Sequence, residues 1–232
     1  MNTLRRIAIV LSLLACAGCT MTYLRTRGSS LVFDGPISRS SADAFIDAVK
    51  SNPVERLIIT SQGGDVDSAI DIALLILEKR IDVEVTDYCL SSCANYIFPA
   101  GTRKYITGTG IVAWHGNIRH LQYLAQTGRL SYSEAERSNI DRLVDRETVF
   151  FAKASTDEFL CWFGKIEPYS IPYSYLLSKE DMELFGLNNL DVRADYKASN
   201  LNLWGNWYYS NRAQFISVTR ERLEDYRPSK SE

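Results

Sequence analysis

Histidine is scarce in this chain, and so is any excess of basic charge. Only His115 and His120 occur among 232 residues. Neither stands at metal-ligand spacing from the cysteines, so no zinc site is expected, and no other cofactor. Lys and Arg number 26 against 28 Asp and Glu, a net charge of −2. That balance excludes the basic face on which nucleic-acid binding depends. Also missing is an apolar run of about 20 residues, the length that spans a bilayer. There is no repeat of fixed period and no low-complexity tract. What is present is a chain 46% hydrophobic and 23% charged, enough to bury one sizeable core and leave an extension.

The N-terminus reads as a targeting segment. Arg5 and Arg6 precede a small, apolar run from Ile7 to Gly18, the form of a signal-peptide h-region. The run ends in Leu13-Leu14-Ala15-Cys16-Ala17-Gly18-Cys19, which resembles a bacterial lipobox. Ala17-Gly18 before Cys19 makes Cys19 the preferred lipidated residue, with Cys16 as the second possibility. A cleaved signal without lipid is the plain alternative. Export to the periplasmic side of a bacterial membrane is therefore expected, the outer membrane by default since Thr20 gives no acidic retention signal. Residues 20–30 are polar and read as a tether.

Export changes how the other cysteines read. Cys89, Cys93 and Cys161 remain, an odd number. Cys89 and Cys93 flank a predicted strand-to-helix turn. In an oxidising compartment a bridge between them is expected over a redox motif, with Cys161 competing for either partner.

Hydrophobic periodicity divides the rest. Leu31 to Phe33 is a short strand, and Ala42, Phe45, Ile46 and Val49 keep helical spacing until Asn52-Pro53. Leu57 to Ile59 is a continuous apolar strand. The segment after Gly64 is a helix apolar nearly all round, so it should be buried. Ile81 to Thr86 alternates as a strand, and Cys93 to Ala100 is a short helix of small residues. Lys104 to Ile106 and Ile111 to Trp114 are further strands. Ser131 to Ala154 reads as a long amphipathic helix with Ser131 and Glu134 as its capping box, and Tyr175 to Gly186 as a final helical region. Strands alternating with helices imply an α/β fold with a mainly parallel sheet. After residue 196 comes an aromatic, then charged extension containing Trp204, Trp207, Tyr208, Tyr209 and Phe215, expected to pack beside the core. His120 lies in a polar helix start and is expected to be solvated.

One stretch carries the chemistry. A serine hydroxyl needs a base to take its proton, usually His, and the oxyanion that follows needs preorganised N–H donors. Gly63-Gly64 after an apolar strand, Ser91-Ser92 before a small-residue helix, and His115 after another strand offer those parts. Taken singly, they read as a tight turn, a helix cap and a loop histidine.

Their order and spacing resemble a known family. Thr60-Ser61-Gln62-Gly63-Gly64 looks like the Ser-Pro-Gly-Gly loop of the Clp protease proteolytic subunit and its signal-peptide-peptidase relatives. Ser92 to Gly101 matches in length the segment there that begins with the nucleophile and ends in Ala-Gly. His115 follows where the family places its base, and Leu177-Ser178 through Phe185-Gly186-Leu187 resembles its closing helix. The resemblance spans about 31–190, within a domain read as 31–195. It implies a ClpP/crotonase-like superhelix of β-β-α units, with Ser92 as nucleophile, His115 as base, and Gly64 and Cys93 as oxyanion-hole donors.

Three departures stand out. Where the family has an acid three to four residues before Ser178, this chain has Ser174, a possible third member that cannot balance an imidazolium as a carboxylate does. Gln62 replaces the usual Pro. Cys89 and Cys93 bracket the serines, and a slip of one residue would exchange Ser92 for Ser91. Two functions follow: an exported, lipid-anchored serine hydrolase acting on peptide or protein, or a catalytically silent module binding a partner through the same groove. Ring assembly in the resembled family makes a homo-oligomer an expectation too.

Overall fold

A computed structural model describes residues 22–196 and 213–227. The signal segment, with Cys16 and Cys19, and the aromatic run 197–212 lie outside the described residues.

The chain is a mixed α/β domain around a mostly parallel sheet. β1 (Tyr23–Arg27) pairs antiparallel with β2 (Ser30–Asp34), so the stretch read as a tether contributes an edge strand. Its polar side chains fit, because an edge strand faces solvent along most of its length. α1 (Arg39–Ser51) starts at Ser38, whose hydroxyl and the Ser41 side chain cap each other's backbone, and buries Ala42, Phe45 and Val49 as their spacing requires.

β3 (Arg56–Ser61) runs parallel to β2, with Leu31 opposite Leu57 and Phe33 opposite Ile59. Its burial alternates: Leu57, Ile59 and Ser61 are buried, while Ile58 is half-covered. α2 (Val66–Lys79) is capped by Asp65, which accepts from Ser68 N at 2.9 Å. It buries Ile70, Ala73 and Ile76, but Leu74, Leu75 and Leu77 lie only half-covered, short of the all-round burial expected.

β4 (Asp82–Leu90) is the axis of the sheet and runs four residues past its expected end. Its first half pairs parallel with β5 (Lys104–Ile106), its second half with β6 (Ile111–Ala113). A π-helical turn, Cys93–Ile97, continues into a short α3 (Phe98–Ala100) under the sheet.

α4 (Ile118–Gln126) is the helix at whose polar start His120 was expected, and α5 (Glu134–Ala154) is the long amphipathic one. The α5 capping box is Ser133 with Glu136, two residues later than expected. Arg142 and Arg146 on α5 pair with Asp67 and Asp71 on α2 and fasten the two helices. The expected closing helix is instead β7 (Ser174–Leu176) followed by α6 (Lys179–Leu184). β8 (Leu190–Val192) pairs with β5, and β9 (Ala213–Phe215) with β7.

Candidate active site

Pairing of β4 with β6 brings the serine turn and the histidine to one end of the sheet. Leu90 lies opposite Ala113, and Ser91 N donates to Ala113 O at 3.3 Å. The two strands therefore release Ser91-Ser92 and Trp114-His115 side by side. β3, on the other side of β4, releases Gly63-Gly64 at the same end.

The glycines are required where they stand. Gly63 has φ +90°, and a Cβ on it would lie 2.6 Å from Leu90 O and 2.8 Å from both Ser91 Cβ and Ser92 N. Gly64 has φ +150°, and its Cβ would lie 2.0 Å from Ile37 O. Only glycine allows this backbone to approach the serine turn so closely. Ile37 N donates to Gly63 O, and Asp65 N donates to Ile37 O. The Gly64 carbonyl is thereby turned toward Ser92, whose Oγ donates to it at 2.7 Å.

Ser92 is 3% exposed and begins the π-turn, with Cys93 next to it fully buried. The Cys89–Cys93 disulfide is formed, with Cα atoms 5.2 Å apart, and it encloses both serines. Cys161 is buried and free. Ser91 is half-exposed with φ +55°. Among the described residues, the N–H groups of Gly64, Ser92 and Cys93 donate to no protein acceptor.

His115 is exposed at the rim. Crowding by neighbouring atoms, then the charge of Lys165, hold its pKa below the ordinary value of 6.5, so it is neutral at pH 7. Lys165 itself is tied down: its Nζ donates to the carbonyls of Ile171, Pro172 and Tyr173 at 2.6, 3.1 and 3.0 Å. Trp114 exchanges backbone hydrogen bonds with Tyr175 in an antiparallel bridge. One step along that bridge sets Ser174 across from His115, the position expected of the third member. No hydrogen bond joins Ser92 to His115 or Ser174 to His115 among the described residues.

The frame behind His115 is rigid, and sequence reasoning missed it. Trp114 Nε1 donates to Ala94 O at 3.2 Å, and Asn95 Nδ2 to Gly116 O at 2.9 Å. Tyr96 OH donates to the buried carboxyl of Glu147, which also accepts from Asn117 Nδ2, Ile118 N and Arg119 N. Three consecutive residues of the π-turn thus grip the segment carrying His115. Burial pushes the Glu147 pKa up to about 7, against the pull of those hydrogen bonds. The spacing of Ile140, Leu143, Val144, Phe150 and Phe151 puts Glu147 on the inward face of α5, the one signal in the sequence that could have found it. His120, expected in solvent, is 8% exposed and stacks on Trp162, with its pKa pushed down to about 4 by burial and then by Lys165. It belongs to the wall of the core, because α4 turns it inward.

Among the described residues no cluster of His, Cys, Asp and Glu has the geometry to hold a metal ion. No protein-family model matches this chain, and no curated protein matches it either.

Proposed function

We propose that this chain is a serine hydrolase of the acyl-transfer type, a ClpP/crotonase-like peptidase exported and held to a membrane by a lipid on Cys19. One observation carries the reading. The parallel pairing Leu90 with Ala113 delivers the Ser91-Ser92 turn and His115 to the same sheet end, with the Gly63 backbone packed against the serine turn.

In this reading His115, neutral at pH 7, takes the serine proton, and free backbone N–H groups at Gly64 and beside the serine receive the oxyanion. Ser174 orients the imidazole without a charge of its own. The substrate is a peptide or protein at the cell envelope, and a homo-oligomer is part of the proposal. The test is hydrolysis of a short-chain p-nitrophenyl ester and of a fluorogenic peptide mixture by full-length, detergent-extracted protein. His115→Ala should cost about 10²–10⁴-fold in kcat. The rate should fall as pH drops through a value below 6.5, since the His115 pKa is lowered.

A second reading is favoured by the Ser92 hydroxyl being engaged with a carbonyl instead of an imidazole. It is a silent module that binds a partner through the same groove. Unchanged ester in the presence of folded wild-type protein decides for it.

A further inference from the structure

We infer that Ser91, and not Ser92, carries the reactive hydroxyl. This inference rests on the hydrolase reading above.

A nucleophile must be reachable and must have its proton available to a base. Ser92 meets neither condition: it is 3% exposed, and its proton is donated to Gly64 O. Ser91 is half-exposed, and its hydroxyl has no partner among the described residues. Its backbone is also uncommon: it shares a positive φ with only Arg80, Ser155, Ser170 and Asn189 among the described non-glycine residues, and Ser170 and Asn189 lie in connecting segments. Arg80 and Ser155 have positive φ because they close helices, a routine place for that conformation. Ser91 takes φ +55° between the end of β4 and the start of the π-turn. A sharp turn from strand to helix lifts a side chain out of the sheet end, and such outliers cluster at functional sites.

The surroundings agree. Ser91 N donates to Ala113 O, which sets Ser91 level with Trp114, one residue before the base, at the same sheet end. Gly63 packs against Ser91 Cβ, leaving no side chain between that hydroxyl and the glycine loop. Counting back from Gly101 reaches Ser92 only along an unbroken α-helix. The Cys93–Ile97 π-turn takes one extra residue, and the count then arrives at Ser91.

Ser92 becomes a strut. Its hydroxyl fixes the Gly64 carbonyl, and its N–H, free of any protein acceptor among the described residues, joins that of Gly64 as an oxyanion donor. In the acylation step the Ser91 Oγ–C bond forms while His115 takes the hydroxyl proton. The bond from the acyl carbon to the leaving group then breaks, and His115 returns the proton to that group. Water repeats the sequence and releases the acid.

The test labels full-length, detergent-extracted protein with a fluorophosphonate, which forms an O–P bond and expels fluoride. Both serines fall on the tryptic peptide from Ile81 to Arg103, so fragment ions must locate the added mass. Expected is an adduct on Ser91 that is absent in Ser91→Gly and retained on Ser91 in Ser92→Ala, with labelling slowed several-fold. Glycine is at ease at φ +55°, so a folded Ser91→Gly, checked by its circular dichroism and melting curve, is interpretable. An adduct on Ser92, or one surviving in Ser91→Gly, overturns the assignment and leaves the hydrolase reading standing. Absence of both adduct and ester hydrolysis in the wild type overturns the two together.

Discussion

Asn95 donates from Nδ2 to the carbonyl of Gly116 at 2.9 Å, which fastens the π-turn after Ser92 to the residue following His115. Asn95 is 3% exposed, and its Oδ1 has no partner among the described residues. The amide is therefore held by one bond, and that bond spans the two halves of the site. Asn95→Ala should leave a carbonyl unpaired and cost about 1–3 kcal/mol, read as a lower urea midpoint. Asn95→Leu, which fills the space but cannot donate, should be no better than Ala. If either variant matches the wild type, the strap is unimportant.

Glu147 makes stability depend on pH. Its folded pKa, about 7, lies above the ordinary 4.5, so the folded state binds more protons between those values. Stability on its account is fully present below about pH 4.5 and is lost as pH rises to about 7, by on the order of 3 kcal/mol. Thermal melts from pH 4.5 to 8 should show the decline in the wild type. In Glu147→Gln that portion of the slope should vanish, at the cost of an amide facing backbone donors. Equal slopes in the two proteins would mean that Glu147 stays ionised throughout.

The Cys89–Cys93 bridge closes a loop of five residues. Chain-entropy reasoning assigns such a loop about 2 kcal/mol. Reduction, or the Cys89→Ala/Cys93→Ala pair, should lower stability by that order in denaturant melts. It should also reduce fluorophosphonate labelling, because the serine turn loses its clasp. Labelling that survives reduction at full rate would show that the turn is set by the sheet alone.

Gly64→Ala should be the most damaging Gly→Ala change among the described glycines. The added Cβ would lie 2.0 Å from Ile37 O, and no flexible side chain is there to yield. A loss of about 2–4 kcal/mol is expected, in the range of overpacking joined to backbone strain. Gly28→Ala is the control: it also has positive φ, but nothing lies within 4 Å of its Cβ. The difference between the two melts isolates the collision.

Much of the α/β alternation was legible because its signals are local. The spacing of Ala42, Phe45 and Val49 announced α1, and the apolar run after Gly64 announced α2. The disulfide could be expected from two cysteines four residues apart once the N-terminus is read as an export signal. Local reading failed where a partner far along the chain decides. Tyr23–Arg27 looks polar and loose in sequence, yet its backbone finds β2. Tyr175 and Leu176 fall in the stretch read as a closing helix, yet they lie in β7, which bridges to Trp114 and pairs with β9.

The candidate site divides in the same way. The sequence by itself determined which residue types stand near which: two glycines, two serines inside a cysteine pair, and a histidine after a strand. It also determined that no carboxylate stands where an acid was expected, leaving Ser174 there. Only the tertiary structure decided which serine is buried and bonded and which is free, since exposure depends on what folds over a residue. It alone brought Asn95, Tyr96 and Glu147 to the back of the His115 segment, across separations of 21 and 51 residues. A hydrogen bond between distant residues leaves no periodic trace along the chain, whereas a helix face or a strand repeats its pattern within a few residues.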